Sequence, residues 1–436
     1  MLLEVLNLAV AVTGFVLIVI SSKKMLPVHM NGGYPFLLIV YSYSTVLLSL
    51  VTLEFGFYIT ESENYSHLNG AAISYVALTA ISMIGLSFWL KIFTRIHRKC
   101  SSKGVVSYQS KIILINFMLI GIAFYLVIAL ANVILSPNPF NDTDVNRFNF
   151  WDTARFPWVA AIIGERGMPI ALFLGCVANE KKFVKSKNVV ALFAVYLTYL
   201  ILLGHRFSPL LLAGYFYFMP KGLARNIEAS KVAKCFLLIM PILILYVLYL
   251  YSNMNTGIVI ENGGALGGAF YRVGVLQGQV YWNSWEIFLN DENSVENFYK
   301  FMLGGFDGLE MAMYAVAPSN AADYINDGVR FTAAYPAFLL LMPPFISIFI
   351  FASVLIVYPL AVLRAYILCR ENSVFRLYFY ITILYFYHFA LTMGDLRFLA
   401  SYKIIILIIL IFFVEFLIRP TQIQEKRLEK SIVAKP

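Results

Sequence analysis

A chain of 436 residues that is 60% hydrophobic and only 13% charged is too apolar for an ordinary soluble domain, in which about 25% of residues are charged. A formal charge of +9 does not indicate nucleic acid, because the basic residues fall in short loops between apolar runs, as the enrichment of Lys and Arg in cytoplasmic loops of membrane proteins requires. Apolar runs of about 16–25 residues recur along the chain, so the expected fold class is all-α, a polytopic membrane helical bundle, and not a barrel of alternating strands.

Loop charge orients the spans in chain order. A first span to about Ile20 precedes Lys23-Lys24, and Glu4 with no basic residue before it reads as an uncleaved anchor whose N-terminus lies outside. The second, about Gly33 to Leu53, leads into an outer loop with Glu54, Glu61 and Glu63. The third, about Ala71 to Leu90, ends in the dense basic loop from Lys91 to Lys111. The fourth, Ile112 to Leu135, opens into an outer loop rich in Asn, Asp, Pro and aromatics. The fifth, Trp158 to Ala178, is interrupted at Gly164-Glu165-Arg166-Gly-Met-Pro169. Spans six and seven, Val189 to Leu203 and Pro209 to Met219, form a hairpin joined by Gly204-His205-Arg206-Phe207-Ser208. Both are short: twelve residues rise about 18 Å against a hydrocarbon core of about 30 Å, which places the turn below the outer surface. Span eight, Cys235 to Tyr251, leads to the largest loop, 253–335, and three further spans bring the count to eleven with the C-terminus inside. The chain is then one integral membrane domain carrying a periplasmic cap at 253–335. Within the cap, helical spacing predicts a helix over Ala269 to Leu289, lying on the membrane or dipping into it, and a second over Val295 to Val316. All four cysteines fall at or near loops assigned to the cytoplasm, so neither a disulfide nor a metal cluster is expected.

Sorted by this topology, the two faces carry different basic chemistry. Sixteen lysines and eight arginines fall inside, whereas the outer face has seven arginines and two lysines against eighteen carboxylates. Orientation needs only positive charge. The planar guanidinium fork grips phosphate or carboxylate oxygens in two places at once, so the outer arginines point to anion recognition. Arg206, Arg272 and Arg330 are the leading candidates, because intramembrane or cap-facing arginines are costly without a task. Arg166 beside Glu165, and Arg397 beside Asp395, serve equally as ion pairs at span ends. Ser208-Pro209 predicts an N-cap followed by proline, which aims the free amides of span seven at Arg206. His205 at that turn is the first candidate proton acceptor, with Glu165 and Asp395 after it.

Weaker signals accompany these. Asp142-Thr-Asp144 could hold a divalent ion, although acids in a turn-rich loop are more often solvated. His388 on an apolar span reads as core. Trp151, Trp158, Trp282 and Trp285 could stack on sugars or form an interfacial belt. No phosphate-binding loop, dinucleotide glycine motif, zinc-protease motif or nucleophile elbow is present.

The span layout, the late long outer loop, Gly204-His-Arg206-Phe-Ser-Pro-Leu-Leu-Leu, Tyr271-Arg272 followed by Gln277, and Val329-Arg330-Phe-Thr-Ala-Ala-Tyr-Pro336 together resemble the bacterial O-antigen polymerases of the Wzy type. The resemblance implies a GT-C-like inner-membrane glycosyltransferase of lipopolysaccharide biosynthesis. Such an enzyme moves a growing glycan from undecaprenyl diphosphate onto the end sugar of a new lipid-linked repeat unit. It implies no metal, no nucleotide-sugar cofactor and no nucleic acid, membrane lipids as surroundings, and a chain-length regulator of the Wzz type as partner. On that pattern Arg206, Arg272, Arg330, Arg397, Arg166, Tyr271 and Gln277 bind substrate, and His205, Glu165 or Asp395 takes the acceptor proton. An O-antigen ligase would share the layout, and a lipid-linked oligosaccharide flippase remains the non-catalytic alternative.

Overall fold

The computed structural model describes residues 2–56, 70–101, 112–138, 142, 145, 150–159, 168–178, 186–204, 207–224, 227–252, 264, 266–267, 270, 274–290, 310, 313–314, 317–326, 335–369, 374–393, 406 and 409. In chain order its helices are α1 (Leu2–Met25), α2 (Met30–Glu54), α3 (Ala71–Ser101), α4 (Ile112–Leu135), α5 (Phe150–Thr153), α6 (Met168–Val177), α7 (Ser186–Leu202), α8 (Phe207–Ala224), α9 (Ala229–Ser252), α10 (Leu276–Leu289), α11 (Ala321–Asn326), α12 (Ala337–Leu340), α13 (Pro344–Cys369) and α14 (Val374–Met393). Among the described residues the only strand-like pairing is one bridge between His29 and Glu228. The protein is therefore helical. Among the described residues five helices, Glu4–Met25, Met30–Glu54, Ala71–Arg98, Ile115–Leu135 and Pro344–Leu368, are long and apolar enough to cross a membrane, and Lys187–Leu202 is a shorter apolar helix. Outward faces of the bundle carry side chains that water would not tolerate in such density: Phe117, Ile120 and Phe124 on α4, Leu237, Leu238 and Ile242 on α9, and Phe345, Ile348 and Phe349 on α13 are all exposed. The eleventh expected span lies almost wholly outside the described residues.

Helix α2 is the hub, packed against α1, α3, α8, α9, α10 and α14. Proline occurs inside α2, α8, α9 and α13 (Pro35, Pro220, Pro241 and Pro359); in a membrane bundle neighbouring helices can resatisfy the backbone groups that it frees. Where α6 crosses α8 there is no room for a side chain, since a Cβ on Gly175 would overlap the Tyr217 carbonyl. Small residues at such crossings let backbones approach and replace the missing hydrophobic drive between helices in lipid.

Long-range contacts define two ends of the bundle. At one end the links between α1 and α2 and between α8 and α9 are stitched together: Ala229 N–H donates to the Val28 carbonyl (2.7 Å) and Ser230 N–H to Leu26 (2.9 Å). The His29 ring lies against His97 of α3, with centroids 3.7 Å apart, and His97 is hydrogen-bonded to Tyr366 of α13. At the other end Asn7 of α1 donates to Glu54 of α2 (3.0 Å), and α3 begins. The α1–α2 and α8–α9 links and the neighbouring parts of α3 and α13, all read as cytoplasmic, thus meet at one end. Reporter fusions at Lys103, Lys185, Arg225 and Arg370 are expected to report cytoplasm and fusions at Asn64, Asp142 and Asp291 the periplasm. A periplasmic signal at Lys185 would undo this grouping of loops.

Two local expectations change. Helix α8 starts at Phe207 and continues through Pro220 to Ala224, so Pro209 is its third residue and Ser208 lies inside the helix instead of capping it. The first turn has no intrahelical acceptors for its amides, so proline is tolerated there. At 18 residues α8 rises about 27 Å, and the length argument for a sunken hairpin turn falls. Likewise the span after the long loop begins at Pro344, and residues 335–343 form a separate buried turn around α12.

Candidate functional site

The Glu54 end of the hub is closed by α10, part of the long loop expected as a cap helix from Ala269. It begins at Leu276 and does not lie flat on the bundle. Gln279, Val280, Tyr281, Trp282, Asn283 and Ser284 are buried without a break, whereas a helix on a surface buries one face only. Helix α10 is instead inserted between α2, α3 and α12, with Phe288 and Leu289 emerging at its far end. The sequence placed this segment in a cap lying on the membrane, with a dip into the membrane as the alternative; in the structure α10 is packed among the helices of the bundle.

Polar contacts hold it there. The Tyr281 hydroxyl lies 2.8 Å from Ser74 Oγ of α3, and its ring meets Tyr75 edge-on at 4.9 Å. Gln279 Nε2 donates to Asn283 Oδ1 (3.2 Å), and Ser284 Oγ donates to the Val280 carbonyl (2.7 Å), so the buried amides and hydroxyls engage one another and the helix backbone. At the start of α10, Ser49 and Thr52 of α2 bond the carbonyls of Val275 and Gly274, and Gly278 N–H donates to Ser49 Oγ (2.7 Å). Beside α10, residues 335–342 are buried throughout. Ser347 Oγ donates to the Leu339 carbonyl (2.5 Å), and Tyr335 reaches inward beside Tyr43, Ser82 and Tyr387.

Of the ten residues singled out from the sequence, Gln277 is described: it sits half-buried in the first turn of α10. His205, Arg206, Glu165, Arg166, Tyr271, Arg272, Arg330, Asp395 and Arg397 lie outside the described residues, and their flanks carry the geometry. The C-terminal end of α8 meets the start of α2, where Asn31 Nδ2 donates to the Met219 carbonyl (3.4 Å), so α8 starts towards the Glu54 end. Helix α14 rises the same way as α2: His388 lies beside Asn31 and Phe36, and the carbonyl of Thr392 accepts from Ser42 (3.2 Å). Phe207 and Met393, which adjoin the His205-Arg206 and Asp395-Arg397 segments, therefore end neighbouring helices on one side. Gly274, two residues after Arg272, is on that side too.

The tryptophans divide. Trp282 is wholly enclosed, which removes it as an open sugar platform; Trp285 stacks on Phe288 at 5.4 Å, and Trp158 is exposed. His388 is core, as read, with Nδ1 2.9 Å from the Tyr215 hydroxyl. The Asp142 amide donates to the Asn138 carbonyl (3.0 Å), and among the described residues no group of three potential metal ligands occurs. Ser49, Thr52 and Ser74 had not been singled out. Their only sequence signal is a hydroxyl within an apolar span, which equally serves to bond the span's own carbonyls.

A family described only as of unknown function (DUF6418) matches residues 304–408, a stretch that holds α11 to α14 with Arg330, Asp395 and Arg397. No curated protein and no solved structure matches the chain.

Proposed function

We propose that the protein is a metal-independent membrane glycosyltransferase that polymerises undecaprenyl-diphosphate-linked repeat units into surface polysaccharide at the periplasmic face of the inner membrane. The observation that supports this reading is the packing of α10 against α2 and α3 near Glu54, the end of α2 towards which α8 and α14 also run. It brings the flanks of three arginine-bearing segments to one side, where a lipid-borne diphosphate would present its charge. Departure of undecaprenyl diphosphate builds negative charge on the leaving oxygen, and guanidiniums aimed at that charge lower the barrier. A neighbouring base, His205 first and Glu165 or Asp395 after it, takes the proton of the acceptor hydroxyl. The polyprenyl tail stays in the lipid, and a chain-length regulator would bind from outside the transfer site.

The test is the surface glycan of a strain lacking the protein. Single repeat units capped on lipid A are the expected outcome. Complete loss of capped units would instead point to a ligase or a flippase, which act on whole chains or before them.

A further inference from the structure

The start of α10 is capped from another helix. Its own cap residue, Val275, offers no side-chain acceptor, although the first four amides of a helix lack intrahelical partners. A Ser or Thr at the cap position ordinarily accepts from the third helical amide. Here that amide is Gly278, and its partner is Ser49 Oγ of α2, 229 positions away in sequence. The Ser49 hydroxyl proton goes to the Val275 carbonyl, and one turn further along α2 the Thr52 hydroxyl bonds the Gly274 carbonyl. Two hydroxyls on one face of α2 thereby engage three backbone groups within residues 274–278. Ser49 is itself fully buried.

We propose that Ser49 and Thr52 are positioning residues that latch the first turn of α10 and so hold Gln277 in place for substrate binding; this role rests on the transferase reading above. The latch grips backbone on both sides of Gln277, so it sets where that side chain starts without touching the substrate. It is also compact, because Gly278 presents no Cβ to Ser49. A serine here is not needed for α2 to be a helix or to face its neighbours, since alanine serves both ends better in an apolar span.

Two readouts on the full-length protein test the latch. In the first, Gln277→Cys is placed in a chain whose Cys100, Cys176, Cys235 and Cys369 are replaced by alanine, and its labelling by a membrane-impermeant maleimide is timed in whole cells. Ser49→Ala, which loses both the Val275 and the Gly278 contacts, is expected to speed labelling at least about tenfold, the scale of one lost buried hydrogen bond or more, and Ser49→Thr, which keeps the oxygen, to leave it near the parent rate. In the second, purified protein in proteoliposomes extends lipid-linked repeat units. There Ser49→Ala and Gln277→Ala should each raise KM about tenfold with kcat little changed, and the double variant should be no worse than Gln277→Ala alone, because both act through one contact. Thr52→Val, which removes the Gly274 contact and the hydroxyl's bond to the Ser49 carbonyl within α2, should move both readouts the same way by less, and it serves if Ser49→Ala does not fold. Unchanged labelling in both variants overturns the latch. Faster labelling with unaltered KM overturns the positioning role. Faster labelling in a protein whose wild type extends nothing leaves the latch standing and overturns the transferase reading.

Discussion

Valine in place of Gly278 is expected to push α10 off α2, to lower the thermal midpoint of the purified protein by several degrees and to abolish chain extension. A Cβ at this position would stand 2.8 Å from Ser49 Oγ, 2.9 Å from Ser49 Cβ and 2.9 Å from the Leu50 amide nitrogen. Two of those atoms belong to the backbone and its first side-chain carbon, so neither can turn away. Overpacking of this kind costs about 1–3 kcal/mol, and the displaced turn also loses the Ser49 cap. The matching control is Gly121→Val on α4, where a Cβ would meet nothing within 4 Å; it should melt and extend glycans as the parent does. Equal melting and activity of Gly278→Val and the parent would show that α10 does not depend on this contact.

Lysine at Arg206, Arg272 or Arg330 should lower kcat for chain extension at least about tenfold each, while the protein inserts in normal amount. The charge is retained and the two-pronged geometry is lost. Deleting one donor to a developing oxyanion costs about 10²–10³ in kcat, so a substitution that keeps the charge falls below that range. The effect belongs in kcat because the leaving oxygen gains its charge in the transition state. Retained activity in all three lysine variants would remove diphosphate recognition as their shared task. Loss in one alone would single out that segment.

Much of the helix layout was legible because lipid imposes a length and a polarity on every span. Ile112–Leu135 emerges with the bounds read for it, and α3 begins at Ala71 as expected. Where the reading slipped, the cause is local. Span seven was read to end at Met219, yet α8 runs on through Pro220 to Ala224; a neighbouring helix can resatisfy what proline frees. Ser208-Pro209 looked like a cap and first turn, and the helix begins before both. The cap helix was read as continuous from Ala269; Phe270 and Gly274 are helical, and a turn at Val275 separates them from α10, which begins at Leu276.

By itself the sequence determined that this is a helical membrane protein and which of its loops carry the basic residues. Those properties follow from composition and from charges near span ends, which act residue by residue. Only the tertiary structure decided that α10 lies inside the bundle instead of on it, that α2 is the hub, and that an α2 serine caps a helix far along the chain. The apolar spacing of 269–289 fits a surface helix and an inserted one equally well. What separates them is the partner that meets Gln279, Tyr281 and Asn283, and that partner comes from distant segments whose approach depends on a missing Cβ at Gly278 and two hydroxyls on α2.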